Sequence, residues 1–222
     1  LHSPRSVLDD FGLGVFGQGT VTFNERLDLS AGARFDYENK SAVLETFADP
    51  AIGPPTLVDD EDSFSNVSPQ VSPAYRVQPD TTVYGTVGRG YKAGGFNASS
   101  PLGSESYGEE HTWNIEGGLK TLWGTGRVST NVAVFYIDWE DLQLNLPNPD
   151  VPAQVYISNV GDAASSGFEL EVNSRPAAGI DVFGSFGYDD VAEHEEGAHL
   201  RDAADEIAFP WPTGMMYGEH RD

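Results

Sequence analysis

The chain has 222 residues, of which 39% are hydrophobic and 11% aromatic, enough apolar material for one large or two small globular units and too much for a disordered chain. Thirty-five acids against twelve bases give a formal net charge of -23, which excludes nucleic acid as a partner because phosphate binding needs clustered Lys and Arg. The absence of cysteine excludes disulfides, thiolate metal sites and cysteine nucleophiles. No apolar run reaches the length of about 18 residues that a membrane-spanning helix needs, a criterion that does not apply to a membrane β-barrel. The start, "LHSPRSVLDD", has neither an initiator Met nor a signal pattern, and the end, "MMYGEHRD", has no natural stop, so the chain is expected to be part of a longer one.

In chain order the predicted strands number about nine: Val15 to Phe23, Leu27 to Glu38, Phe64 to Arg76, Thr81 to Gly90, Thr112 to Trp123, Arg127 to Glu140, Ser166 to Asn173, Ile180 to Tyr188, and a weak one near Thr213 to Tyr217. Leu27 to Glu38 carries the plainest signal. Leu27, Leu29, Ala31, Ala33, Phe35 and Tyr37 alternate with Asp28, Ser30, Gly32, Arg34, Asp36 and Glu38. Period two over that span marks a strand with one apolar face, far longer than the usual strand of about 5 to 6 residues. In the fifth strand Trp113, Ile115, Leu119 and Trp123 share a face. At about 3.3 Å per residue and a tilt near 40°, the run between the tryptophans covers roughly 25 Å, the height of a lipid-facing band. An ordinary sheet with two edge aromatics is the alternative for that strand taken alone.

The connections alternate in length. Short links, "NER" (Asn24 to Arg26), "VQPD" (Val77 to Asp80), "GTG" (Gly124 to Gly126) and "PAAG" (Pro176 to Gly179), have turn chemistry. Between them lie long polar links near 39 to 63, 91 to 110, 142 to 164 and 190 to 208, far above the median loop of about 4 to 6 residues. A soluble sandwich has no reason to gather its long loops at one end, whereas an outer-membrane barrel has short periplasmic turns and long outer loops by construction. The acidic runs Asp59 to Asp62, Ser104 to Glu110 and Asp189 to Glu206 fall in the long links, which places the negative charge at one end.

Catalytic chemistry is not expected. Gly88, Gly90 and Ala93 fit a loose dinucleotide loop, but Gly94, Gly95, Asn97, Ser99, Ser100 and Pro101 follow where that loop must open a helix. His194 and His199 are one residue too far apart for a zinc-protease helix, and no G-x-S-x-G elbow is present. A labile metal site among Glu193, His194, Glu195 and His199 competes with a solvated loop, and Asp59 to Asp62 reads as a solvated run rather than a Ca²⁺ loop. No cofactor is expected. Arg34, Arg89, Glu116, Lys120, Arg127, Glu169 and Glu171 are expected on the polar, inward face; Tyr107, Trp139 and Tyr156 are either loop contacts to a ligand or interfacial aromatics.

The ordered segments "VFGQGTVTFNERLDLSAGARFDYE", "SPQVSPAYRVQPDTTVYGTVGRGYKAGGFN", "WNIEGGLKTLWGTGRVSTNVAVFYIDWEDLQL" and "NVGDAASSGFELEVNSRPAAGIDVFGSFGY" resemble the later barrel strands of TonB-dependent outer-membrane receptors over positions 15 to 190. The resemblance is carried by Gly90 to Asn97, by Glu116, Gly118 and Lys120 leading through Gly126 and Arg127 to the Phe135 to Trp139 strand, and by Asn159 with Gly167, Phe168 and Glu169. It implies an all-β fold, an antiparallel up-and-down meander forming part of a 22-stranded outer-membrane barrel, with residues 1 to 222 all in that barrel domain. It implies active import of a scarce ligand such as a ferric siderophore, haem, cobalamin or oligosaccharide. The implied partners are outer-membrane lipid, a small-molecule ligand, a plug domain of the same full-length chain and the TonB energy-transducing complex. A passive channel or adhesin barrel without energy coupling is the alternative function, and a soluble carbohydrate-binding sandwich a further one.

Overall fold

The structure is a computed structural model that describes residues 3–47, 56–149 and 154–193. Eight strands form one antiparallel sheet: β1 (Ser3–Phe23), β2 (Leu27–Phe47), β3 (Thr56–Gln78), β4 (Thr81–Lys92), β7 (Glu110–Trp123), β8 (Val128–Glu140), β11 (Ala163–Ala177) and β12 (Ile180–Glu193). The order β1-β2-β3-β4-β7-β8-β11-β12 is sequential, so each strand neighbours the next in the meander. The remaining strands pair within the long links, β5 (Gly95–Phe96) with β6 (Ser106–Tyr107) and β9 (Gln143–Pro147) with β10 (Val155–Asn159). Among the described residues no second layer packs on the eight-stranded sheet, which is therefore not half of a sandwich.

Register carries the apolar alternation from strand to strand. Val15, Phe35 and Val67 lie in one row across β1 to β3; Val87, Ile115 and Tyr136 lie in another across β4, β7 and β8, and Val134, Phe168 and Tyr188 form the next outward row across β8, β11 and β12. Among the described residues no large side chain is fully buried, while many Val, Leu, Ile and Phe on these rows are exposed. Such a surface would drive a soluble protein to aggregate, and it is stable in contact with hydrocarbon. On the long-loop side the apolar row ends in polar residues on strand after strand: Asp9 beyond Phe11, Asn39 beyond Tyr37, Ser65 beyond Val67, Asp138 beyond Tyr136, Asp190 beyond Tyr188. Aromatics mark both borders, with Tyr37, Trp113, Tyr136 and Tyr188 on the long-loop side and Phe23, Tyr75 and Trp123 on the other.

The short turns are where the sequence places them. Asn24 and Glu25 (φ 48 and 56°), Gly124, Thr125 and Gly126 (φ 59, 61 and 83°) and Gly179 (φ 81°) are left-handed, the conformation of tight hairpins. The long links differ from expectation. The predicted loop over 39 to 63 is largely strand: β2 continues past Glu38 to Phe47 and β3 begins at Thr56. Above the lipid band the outward positions Asn39, Ser41, Glu45, Asp59, Glu61 and Ser63 face water, so the alternation that marks a strand disappears although the ladder continues. The inward positions Ala42, Leu44 and Phe64 are buried and form a small core at the inner side of this ribbon. β1 begins at Ser3 rather than Val15: Phe11 and Leu13 continue the outward apolar alternation, and beyond them Asp9 leaves the lipid band as Asn39 does on β2. The expected strand near Thr213 to Tyr217 and the candidate ligands His194, Glu195 and His199 lie outside the described residues, as does the side chain of Glu193.

The segment Gly88 to Asn97 explains itself here. β4 ends at Lys92, and the chain turns inward over the ribbon core into β5. A Cβ on Gly94 would lie 2.6 Å from Phe64 Cε1 and would also strike the Tyr107 carbonyl, and one on Gly95 would lie 2.8 Å from the Tyr107 hydroxyl. These glycines are required by close approach, not by a left-handed backbone. Gly94→Val is therefore expected to expel the 95–107 loop and make it a protease target in the folded barrel, at a cost of about 1–3 kcal/mol. Gly85→Val, where the nearest atom to a new Cβ is 3.6 Å away, should leave the digestion pattern unchanged.

Candidate functional site

The face opposite the apolar rows is polar and lines the inside of the curved sheet. On β2 the inward positions Arg34, Asp36, Glu38 and Lys40 form a charge ladder. Arg34 Nε donates to both Asp36 oxygens at 2.7 and 2.9 Å, and Lys40 Nζ lies 3.1 Å from Glu38 Oε2. On the neighbouring strands the Tyr84 hydroxyl donates to Glu116 Oε1 at 2.6 Å, and Lys120 Nζ stands 4.8 Å from the centre of the Tyr84 ring. Gly118 makes this possible, since a Cβ there would lie 2.5 Å from Tyr84 Cε1.

Of the residues expected on this face, Arg34, Glu116, Lys120, Glu169 and Glu171 are there: Lys120, Asn131 and Glu171 share one inward row, and Ala133 pairs with Glu169 on the next. Arg89 and Arg127 are not. Arg89 is in register with Trp113, on the outward row, because the inward positions beside it are the glycines Gly88 and Gly90, which carry no polarity from which to read a face. Arg127 lies in the turn between β7 and β8 rather than in a strand. Of the three aromatics, Tyr107 sits in β6 beside the ladder, Trp139 is paired with Thr112 on the inward face of β8, and Tyr156 is in β10 opposite Leu146.

At the long-loop end, three amide side chains tie the links together. Asn97, 6% exposed, donates from Nδ2 to the carbonyls of Ser104 (3.0 Å) and Ile157 (2.8 Å) and accepts the Ile157 amide at 2.8 Å, which joins the β5–β6 link to β10. Asn159 accepts the Gly108 amide at 2.7 Å and donates to the Asp141 carbonyl at 2.7 Å. Gln143 donates from Nε2 to the carbonyls of Ala93 (3.1 Å) and Gly108 (2.8 Å), and its own amide donates to Glu110 Oε2 at 2.7 Å. Each of these satisfies backbone groups that loops would otherwise leave buried and unpaired. Sequence reasoning marked Asn97 and Asn159 only through resemblance; Gln143 gave no signal, since one polar residue in a long link is unremarkable.

Beneath these clamps is an open concavity of about 550 Å³. Its floor is the β2 charge ladder, and its rim includes Lys92, Tyr107 and Gln143. Arg34 and Lys40 are paired with carboxylates, whereas Lys92 makes no ion pair among the described residues. Tyr91, on the rim, donates to Glu109 Oε1 at 3.2 Å and packs on His111 with ring centres 5.5 Å apart. Among the described residues no cluster of His, Asp and Glu has the arrangement of a metal site. A concave, mixed-charge mouth of this kind can bind a polar small molecule.

Comparison with known proteins agrees with this geometry. A family model for the TonB dependent receptor-like β-barrel matches residues 3–212. The pesticin receptor of Yersinia pestis is 30% identical over 169 residues, 75% of this chain and 24% of that protein, and a pesticin receptor of Yersinia enterocolitica is 29% identical over the same shares. The crystal structure of the ferric yersiniabactin uptake receptor of Yersinia pestis is 26% identical with a TM-score of 0.71, over 86% of this chain and 28% of that one. The siderophore receptor PiuA of Acinetobacter baumannii shares the fold at 13% identity and a TM-score of 0.65, over 83% of this chain and 26% of that one. The chain thus spans about a quarter of the length of the curated relatives it matches. A lipid-facing all-β meander with an inward polar wall, matched by the family model over nearly its whole length, belongs to the β-barrel of the TonB-dependent receptors, outer-membrane proteins that are not enzymes.

Proposed function

We propose that this chain forms part of the wall and mouth of an outer-membrane active transporter that imports a scarce ligand, of the ferric siderophore, haem, cobalamin or oligosaccharide kind, with energy supplied through TonB. The observation that carries the reading is the mouth itself: inward-folded links clamped by Asn97, Gln143 and Asn159 over a charged concavity. The ferric siderophore is the best supported of these ligands, because a relative of 26% identity is a ferric yersiniabactin uptake receptor. On this reading residues 1–222 all belong to one barrel domain. β1 and β12 each have an edge without a partner among the described residues, so further strands complete the ladder to the family's 22, and a plug domain of the same chain fills the polar interior.

In cells carrying the full-length protein, uptake of the ligand should fall at least about ten-fold when the inner-membrane energy-transducing complex is deleted, because a plugged lumen leaves no passive path. Unchanged uptake would instead identify a passive channel. Lys92→Gln should weaken ligand binding by about ten-fold, the loss of one charge-assisted hydrogen bond, with no new protease sensitivity. Asn97→Ala should weaken binding and also expose the 95–107 link to protease, because it releases β10; equal behaviour of the two variants would show that Lys92 is structural rather than a contact.

A further inference from the structure

The short-turn end of the sheet repeats one device. The Arg76 amide donates to the Arg26 carbonyl, and the Arg175 amide to the Arg127 carbonyl, each at 2.8 Å. In both pairs the strand arginine is held by an aspartate: Arg76 Nη2 lies 2.6 Å from Asp28 Oδ2, and Arg175 Nε lies 2.6 Å from Asp181 Oδ1. The turn arginine is left over. Arg26 and Arg127 are exposed and make no ion pair among the described residues.

Each turn arginine also follows an outward aromatic at the border of the apolar band, Phe23 before Arg26 and Trp123 before Arg127. Trp123 is 57% exposed, with its indole N–H donated to Thr130 Oγ1 at 3.2 Å. An interfacial aromatic followed a turn later by an unpaired guanidinium brings the charge to the depth of lipid phosphates. The two copies differ in their acids. Glu25 lies in the same turn as Arg26, whereas the turn Gly124 to Arg127 contains no carboxylate; Asp80, whose carbonyl accepts the Leu122 amide, belongs to the neighbouring turn before β4.

We propose that Arg127, with Trp123 beside it, is a docking surface for the headgroup of an anionic phospholipid in the inner leaflet of the outer membrane. The planar guanidinium matches the two free oxygens of a phosphate diester, and the indole occupies the glycerol and acyl boundary next to it. Arg26 is a weaker copy, since Glu25 repels the same headgroup. The proposal rests on the short turns facing the inner leaflet and is independent of which ligand is transported.

The test uses the full-length receptor in neutral detergent, titrated with short-chain phosphatidylglycerol or with phosphatidylcholine of the same acyl length, bound lipid being counted by native mass spectrometry. The expected result is a preference of about five-fold for phosphatidylglycerol, falling to near parity in Arg127→Gln, largely retained in Arg127→Lys, and reduced less in Arg26→Gln. Heat-modifiable migration on gels checks that each variant barrel is folded. Quenching of tryptophan emission in the unaltered protein by brominated phosphatidylglycerol against brominated phosphatidylcholine gives the same comparison without a substitution. Absence of headgroup preference in the unaltered protein, or its persistence in Arg127→Gln, overturns the proposal. Displacement of the bound lipid by glycerol phosphate at matched concentration would also overturn it and assign the site to free phosphate.

Discussion

Inside a hydrocarbon layer no water is available to take up a peptide N–H or C=O, and each group left unpaired costs several kcal/mol. A chain that crosses such a layer by strands must therefore keep its ladder unbroken from one strand to the next, and most other features of this structure follow from that requirement. It accounts for the sequential strand order, for turns only a few residues long on one side, and for strands much longer than those of soluble sheets. It also inverts the usual distribution of side chains. Most bulky apolar residues of the lipid band are outside and most charged ones inside, with Arg89 outward and Phe16 and Phe183 inward as exceptions, so the polar wall has to be satisfied by its own neighbours, as Arg34 is by Asp36 and Tyr84 by Glu116. The two prolines of β3 mark where the ladder bends this rule: Pro69 and Pro73 lie on the outward row, and the pairing with β4 skips Ser72 and Pro73 and ends at Gln70, beside Pro69.

The part of the fold that lies in lipid was legible because lipid imposes a period. Leu27 to Tyr37 alternates cleanly since every second residue meets hydrocarbon, and the same holds for Trp113 to Trp123 and Val128 to Tyr136. Once β2 passes Asn39 the outward face meets water instead of hydrocarbon while only a few inward residues, Ala42 and Leu44 with Phe64 of β3, are buried; the outward apolar period loses its cause, and a strand and a loop read alike. Arg89 shows the complementary limit. Its face is set by register with Trp113, and its glycine neighbours conceal the register in a reading that relies on side-chain polarity.

The mouth was legible only as punctuation. The glycines of Gly88 to Asn97 announce an irregular exit from β4, but what they permit is close stacking on Phe64 and Tyr107, a tertiary contact between segments about thirty and a dozen residues away, which no local pattern encodes. Asn97, Gln143 and Asn159 act in the same way. Their amides replace the ladder that the links lack, satisfying carbonyls from three different segments at once. Each clamp joins links that are distant in sequence, so the links are held to one another by side-chain hydrogen bonds as well as by the barrel wall.

The ribbon formed by the upper parts of β2 and β3 has a consequence for how the molecule presents its charge. Asp59 lies six residues beyond Ser65, where the apolar row ends, a rise of about 20 Å along the strand. That is more than two Debye lengths at physiological ionic strength. The carboxylates at the ribbon tip are therefore screened from the lipid border below, and the two ends of the same hairpin behave as electrically separate objects: the negative field of the tip extends only about 8 Å into the surrounding water, and the field inside the concavity at the base is set by its own charges, the Lys40 and Glu38 pair among them.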